Sequence, residues 1–457
     1  MVFNEFQAIV MAGGKGSRVT DLTGGRPKCL LPVGNLPVLY YPLLMLEKTG
    51  FNECMLIVLE SVKADIQTAV NNLDLKISVE LVGIPSGEDW GTADSLRFVE
   101  DKIKCDVVVV SCDLVTDFNL SELLHVFRKH QASLATLFFR PSQLACPATP
   151  GSKAKHKPER DLVALDNETS RLVFLASMSD FEESVPVSRN LLRKHHCLSV
   201  HSNLLDSHVY VLRSWLCRFL SDEKSFSTLK GELLPYIVKK QLMKPPPKKD
   251  VDVSASVVAV DSKKEILQYA LESDIDTKIR SMSFYNDHSG DLKPTYHGDP
   301  IRCYSIIANQ KTFGMRANTL PAYFQINAKV VDAWPAIAER RELVRIHPTS
   351  EVLSTQVDDK CLVGAQSHLA EKTSFKASHI GPNCHIETKV RLSNCVLMSG
   401  VKIAEGSVLS NCIVCDEAVI NSRVDLKDCL VGSNHVVLPG AKHANEMLTD
   451  VDTLMEI

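Results

Sequence analysis

Three segments, Ser393-Asn-Cys-Val-Leu397, Ser410-Asn-Cys-Ile-Val414 and Lys427-Asp-Cys-Leu-Val431, recur every seventeen residues, and Ala377-Ser-His-Ile-Gly381 fits one period earlier in a degenerate form. A fixed period of this length marks stacked coils, because each unit can bury its apolar side only against the next. Around these segments aliphatic residues recur at steps near six, as in Ile380, Ile386 and Leu392 and again in Val408, Val414, Ile420 and Leu426. Stacked units of this period, each burying aliphatic residues at about every sixth position, account for both spacings. They place Cys395, Cys412 and Cys429 in one column.

A second constraint lies at the other end. The run Ala8-Ile-Val-Met-Ala-Gly-Gly-Lys-Gly-Ser-Arg18 is followed by Leu22-Thr23 and Arg26-Pro27-Lys28. An apolar strand that ends in Gly13, Gly14 and Gly16 lets backbone N–H groups approach an anion, and a helix starting near Arg18 would aim its positive end there. Ser17 lies within the loop, and Arg18 and Lys28 supply fixed positive charge. Glycines also serve tight turns that hold no ligand, so spacing alone leaves both readings open.

The segment Asp106 to Asp113 reads as a buried parallel strand with a carboxylate at its C-terminal end, where α/β folds place ligands. Asp113 is a hard oxygen donor suited to magnesium, whereas Asp117 reads as the start of the following helix. Trp90-Gly91-Thr92-Ala93-Asp94-Ser95-Leu96 reads as a loop with Thr92 as an N-cap.

With 457 residues and 45% hydrophobic content the chain can bury more than one core. A formal charge of −4 gives no case for nucleic-acid binding. The N-terminus has no basic segment ahead of an apolar core, and no apolar run is long enough to span a membrane. The 14 cysteines are scattered through apolar strands, as expected of buried thiols, and Cys412-x-x-Cys415 lacks a second such pair to complete a zinc site.

Lys244-Pro-Pro-Pro-Lys-Lys-Asp250 breaks the apolar pattern. The expected organisation is a first domain over 1–243, a mobile linker over 244–300 with one helix around Ser262 to Leu271, a connecting strand and helix over 301–345, and the coils over 346–457.

The glycine loop with its Pro27-Lys28 pair resembles the signature of sugar-nucleotide pyrophosphorylases, and the repeats resemble the hexapeptides of a left-handed parallel β-helix. The resemblance implies an α/β, Rossmann-like nucleotidyltransferase domain followed by that β-helix. It also implies that Gly13, Gly14, Gly16, Ser17, Arg18, Lys28, Gly91 and Thr92 are a nucleotide-binding set, with Asp113 on magnesium. The sugar contacts of active members are missing: no lysine occupies Leu172 to Glu183, and His208 stands where a glycine lets backbone pass close to the sugar. The set then reads as vestigial, with no catalytic residue and no required cofactor. The glycine loop is nevertheless complete, so a nucleotide with Mg²⁺ remains a ligand to test. A sugar-nucleotide pyrophosphorylase of the GDP-mannose type and a nucleotide-sensing pseudoenzyme are the alternatives.

Thr92 to Arg97, the strand leading to Asp113 and Asp117, Arg302-Cys303-Tyr304 and the ending Leu454-Met455-Glu456-Ile457 resemble the gamma-subunit family of eukaryotic translation initiation factor 2B. That resemblance implies a cytosolic, non-enzymatic subunit of a guanine-nucleotide exchange complex, pairing directly with the epsilon subunit. The alpha, beta and delta subunits would complete the assembly, and initiation factor 2 would be its substrate. Epsilon's extra C-terminal helical domain would carry the exchange, since no such domain is expected after the repeats here.

Overall fold

The computed structural model describes residues 5–14, 16, 18–24, 26–87, 89–141, 149–151, 161–177, 184–243, 265–270, 274–282, 298–339 and 341–449. Ser17, most of the linker and the last residues fall outside this set. Among the described residues, nine strands form one sheet: β1 (Phe6–Met11), β2 (Glu53–Leu59), β3 (Ser78–Ile84), β4 (Asp106–Ser111), β5 (Leu134–Phe139), β6 (Asp161–Asp166), β7 (Leu172–Ser177), β8 (Leu198–Leu212) and β9 (Cys303–Ile307). The order is β7-β6-β8-β4-β1-β2-β3, and β5 lies between β8 and β9.

β1 runs parallel to β2 on one side and β4 on the other. Its alternating side chains feed two cores. Phe6, Ala8 and Val10 join Val108 and Val110 on one face, and Ile9 joins Val107 and Val109 on the other. A sheet covered on both faces needs apolar residues at every position, which is why β4 reads Val-Val-Val-Val. The loops after β1 and β4 therefore leave the sheet side by side at its C-terminal edge.

The connecting segment is more than a connection. Its strand β9 pairs in parallel with β5, with Cys303 opposite Leu134 and Ile307 opposite Phe138, so residues beyond the linker complete the first sheet. The pairing satisfies backbone groups that β5 would otherwise leave at a buried edge. Arg302 secures the return by donating to the carbonyls of His130, Gln131 and Asp299. Gly314–Arg316 then pairs antiparallel with Leu114–Thr116. Within the linker the described helix is Asp274–Met282, and Ile266–Gln268 forms only a single 3-10 turn, so the helix lies C-terminal to the expected Ser262 to Leu271.

The C-terminal residues form three six-stranded parallel sheets among the described residues, the three walls of a left-handed β-helix. His368, His385, Lys402, Val419 and Val436 stack at successive positions of one wall, each seventeen residues from the next. Cys395, Cys412 and Cys429 all lie buried in the coil core, as the period requires. Each follows a corner residue with positive φ: Asn394, Asn411 and Asp428 all have φ of 53°. Asn and Asp tolerate that region better than most residues. Their side chains also form a ladder, Asn394 Nδ2 donating to Asn411 Oδ1 at 2.8 Å and Asn411 Nδ2 to Asp428 Oδ1 at 3.0 Å. The recurring Asn-Cys and Asp-Cys pairs are thus corner and rung.

One expected inward position is wrong. Leu409 is fully buried, and Val408 points outward at 36% exposure. The inward residues Leu409, Val414, Ile420 and Leu426 are spaced five, six and six apart, so a seventeen-residue coil shortens one side and a strict six-step slips there.

The helix Leu320–Ala338 joins the two domains. Its N-cap Thr319 accepts from Ala322 N–H, and Pro321 sits in the first turn, where no intrahelical donor is lost. Tyr323, Phe324, Ile326, Val330 and Trp334 share one core with Leu31, Val33 and Tyr41 of the first domain and with Val396, Met398, Ile413 and Leu430 of the β-helix. Asn327 Oδ1 accepts from Gly34 N–H at 3.1 Å and lies 3.2 Å from His379 Nδ1. One side chain thereby touches both domains. Burial pushes His379 down to about 4, which keeps the ring neutral in this contact.

Candidate functional site

A cleft of about 570 Å³ opens at the C-terminal edge of β1 and β4. Gly13, Gly14, Gly16, Arg18, Lys28, Gly91 and Thr92 all line it. Of the glycines, Gly16 is the one held in the left-handed region, with φ of 75°, and a Cβ there would come within 3.2 Å of Thr23 Cγ2. Gly14 lines the cleft and has open space where a Cβ would stand. The helix expected to begin near Arg18 is a single turn, Thr20–Thr23, without a side-chain N-cap. One turn aligns too few peptide dipoles to act as an anion site, so positive charge here comes from side chains.

Gly91 and Thr92 have structural duties. A Cβ on Gly91 would lie 2.1 Å from Ser227 O, so glycine allows the segment carrying Ser227 to pass close to this loop. Gly91, rather than Thr92, is the N-cap of the helix Thr92–Phe98. Asp94 closes that first turn by accepting from Gly91 N–H and from Ser227 Oγ. The Thr92 hydroxyl accepts instead from Leu229 N–H at 2.9 Å, fixing the turn that carries Lys230 to the cleft.

Asp113 sits two residues past β4 and is fully buried. Its Oδ1 accepts from Ser111 Oγ at 2.6 Å and from Arg316 Nε at 2.9 Å. Its Oδ2 accepts from Arg316 Nη2 at 3.1 Å and from Lys28 Nζ. Burial pushes the carboxyl up, but Arg316 and Lys28 together outweigh it and hold Asp113 well below the usual carboxylate range. Arg316 shifts in the complementary direction: burial lowers it, and Asp113 raises it above its ordinary value. Four donors fill the lone pairs of this carboxylate. Magnesium would need an oxygen at about 2.0–2.1 Å, and the residues present do not offer one without displacing the guanidinium. The expected metal role of Asp113 therefore does not fit this arrangement.

Asp117 does not cap the next helix. Asn119 does so by accepting from Ser121 N–H, while Asp117 accepts from Phe313 N–H at 2.9 Å and helps hold the ribbon that presents Arg316. Arg26, part of the same loop as Lys28, turns away from the cleft. It donates to Ser399 Oγ and Asp416 Oδ1 of the β-helix, both at 3.0 Å.

His208 occupies the position where a glycine was expected in an active site. Its φ is 53°, the left-handed region, and Asp206 Oδ1 accepts its N–H at 2.8 Å. The ring lines the cleft, and its buried Nε2 has no hydrogen-bond partner. Burial, then Arg316, hold the imidazole well below its usual range, so it is neutral. Sequence reasoning missed Arg316, whose guanidinium reaches Asp113 from 203 residues away, and Lys230, which pairs with Asp161 at 3.0 Å. In the coil, His379 is an interdomain contact, and His385 stacks on His368 with centroids 4.9 Å apart. Cys412 and Cys415 belong to different cores, one inside the coil and one against the long helix.

Residues 7–146 match the family model described as nucleotidyl transferase, and residues 347–442 match that described as the EIF2B subunit epsilon LbH domain. The chain is 29% identical over 461 residues to translation initiation factor eIF2B subunit gamma of Schizosaccharomyces pombe, covering 98% of this chain and 91% of that protein. The Caenorhabditis elegans protein of the same description is 32% identical over 242 residues, 52% of this chain and 59% of its own length. The eIF2B subunit epsilon of Schizosaccharomyces pombe is 26% identical over 213 residues, 44% of this chain and 30% of that protein.

Proposed function

We infer that this chain, which belongs to the gamma-subunit family of translation initiation factor eIF2B, is a regulatory subunit that pairs with the epsilon subunit and promotes GDP-to-GTP exchange on initiation factor 2. The observation that carries the reading is similarity to a gamma subunit over 98% of the chain, spanning both domains in the same order. Similarity to an epsilon subunit supports the choice of partner, since two chains of related architecture can pack through equivalent surfaces. The alpha, beta and delta subunits complete the assembly, in the cytosol. Among the described residues no helix is long and apolar enough to cross a membrane.

The first domain is non-catalytic on this reading. Nucleotidyl transfer depends on positioning and on cations that neutralise charge developing on the phosphates. Here the carboxylate that would hold the metal is committed to Arg316 and Lys28. His208 adds a ring to the wall expected to receive the sugar. Exchange needs no covalent step from this chain, because binding that favours the GDP-free form of the target shifts the equilibrium and speeds release.

Co-expression with epsilon tests the reading. The two chains should co-purify in equal amounts and release labelled GDP from initiation factor 2 faster than epsilon alone. Recovery of this chain without epsilon, or an unchanged release rate, would refute it.

A further inference from the structure

We propose that the half-buried rings of Phe226, Tyr236 and Tyr269, rimmed by Asp222, Glu223 and Glu265, are a docking surface for a basic segment of a partner protein, one lysine of which takes the place that Lys240 holds over Tyr236. This surface is separate from the cleft. Its floor is Phe219, buried on the helix Ser214–Asp222. Tyr236, on the helix Leu234–Lys240, stacks on Phe219 with centroids 5.9 Å and planes 4° apart, and Tyr269 meets Phe219 edge-on at 5.6 Å. Phe226 lies 5.0 Å from Tyr236. The group is held firmly: Arg97 donates to the carbonyls of Leu220, Glu223 and Phe226, and Ile266, three residues before Tyr269, is fully buried in the first domain's core.

Aromatic faces attract cations, and the charges at this rim favour them further. Burial, then Glu223 and Glu265, push the Tyr236 phenol up. The bond that the Tyr269 hydroxyl donates to Asp222 is the first cause that pushes Tyr269 up to about 12, with Asp222 and Glu223 adding to it. Arg218, Lys224 and Lys239, the exposed cations of the same segments, act on neither phenol. Arg97 is paired with Asp94 and Lys230 with Asp161, while Glu232 accepts from the backbone N–H groups of Ser227 and Thr228. Glu265 is exposed, and among the described residues nothing bonds to its carboxylate. The chain already shows the contact in question: Lys240 Nζ stands 5.3 Å from the Tyr236 centroid and, among the described residues, pairs with no carboxylate. A lysine held by a ring is what a partner's lysine would become here, and the Lys240 stem is flexible enough to yield its place.

The test is fluorescence anisotropy of a labelled octalysine peptide titrated with the full chain at physiological ionic strength. Saturable binding is expected, and labelled octaglutamate should not bind. Tyr236→Leu keeps an apolar side chain in the stack but removes the ring face, and should weaken binding about fivefold, the scale of a cation–π contact. Glu265→Gln, at an exposed residue, should weaken it about twofold and decides the matter if Tyr236→Leu does not fold. The sharper comparison is between neighbouring lysines. Lys240→Gln frees the Tyr236 ring and should tighten binding about fivefold, whereas Lys239→Gln removes the same charge from an exposed position and should tighten it by less than about twofold. Equal tightening in both would mean that net charge alone attracts the peptide, and overturns the inference. Absence of saturable binding to the parent chain, or binding that neither Tyr236→Leu nor Glu265→Gln weakens, also overturns it. Pairing with epsilon is decided separately, by the GDP-release experiment.

Discussion

In the β-helix each inward position is fixed by neighbours seventeen residues away, so Leu392, Leu409 and Leu426 repeat one environment three times. In the first domain the charge balance of the cleft hangs on Arg316, which belongs to no repeat and arrives from a separate segment. The contrast shows that periodic regions carry their structure redundantly. A site assembled from distant segments can change its chemistry through one residue while its motif stays intact. Gly13, Gly14, Gly16 and Lys28 all remain at the cleft, yet the carboxylate they accompany is already neutralised.

The strongest way to break the comparison is to place a charge in the coil. Leu409→Asp puts an unpaired carboxylate among apolar rungs and should destabilise the β-helix by about 4 kcal/mol or more. Val408→Asp, one residue away on the outer face, should change stability by less than about 0.5 kcal/mol. Denaturant unfolding of both variants checks the phase of the coil, and equal effects would mean that the inward register is wrong.

The joint between the regions should be sensitive to acid. His379 titrates in the unfolded chain near 6.5 but is pushed down to about 4 when buried. Between these values the unfolded state binds more protons, so stability falls as pH drops from about 6.5 to about 4, by up to about 3 kcal/mol. Below that window this contribution stays lost. A pH series of melting temperatures for the parent and for His379→Gln should diverge in steepness across the window, and parallel curves would remove His379 as the cause.

A smaller effect is expected where the glycine loop meets the coil. Arg26→Ala removes hydrogen bonds to Ser399 and Asp416 from a partly exposed pair, at about 1 kcal/mol. Combined with Asp416→Ala in a double-mutant cycle, it should show coupling of that order, whereas strict additivity would mean that the two regions do not communicate through this contact. Gly16→Ala should cost about 1 kcal/mol as well, because alanine must adopt a positive φ, and calorimetry of the first domain's transition would show it.

The fold classes of both regions were legible because burial imposes periodicity: uninterrupted valines on β4, and aliphatic residues at steps of five and six in the coil. The slip from Leu409 to Val408 came from the five-residue step, which neighbouring valine and leucine conceal. Part of the cleft lining was legible because it lies in local motifs, the glycine loop after β1 and the Trp90 to Thr92 segment after β3. Arg316 was not, since an arginine after Gly314-Met315 has no pattern until a sheet pairing brings it to Asp113. Asp117 and Thr92 were misread for the same reason. Each resembles a helix cap locally, but a distant backbone N–H, of Phe313 or Leu229, had taken its oxygen.

Retained architecture with altered chemistry is tested most directly by pyrophosphate release. The purified, folded chain is supplied with GTP, mannose 1-phosphate and Mg²⁺, and pyrophosphate is followed with time. No release above the protein-free control is expected. Saturable, Mg²⁺-dependent release that Lys28→Ala abolishes would show that the glycine loop still serves catalysis and would contradict the account.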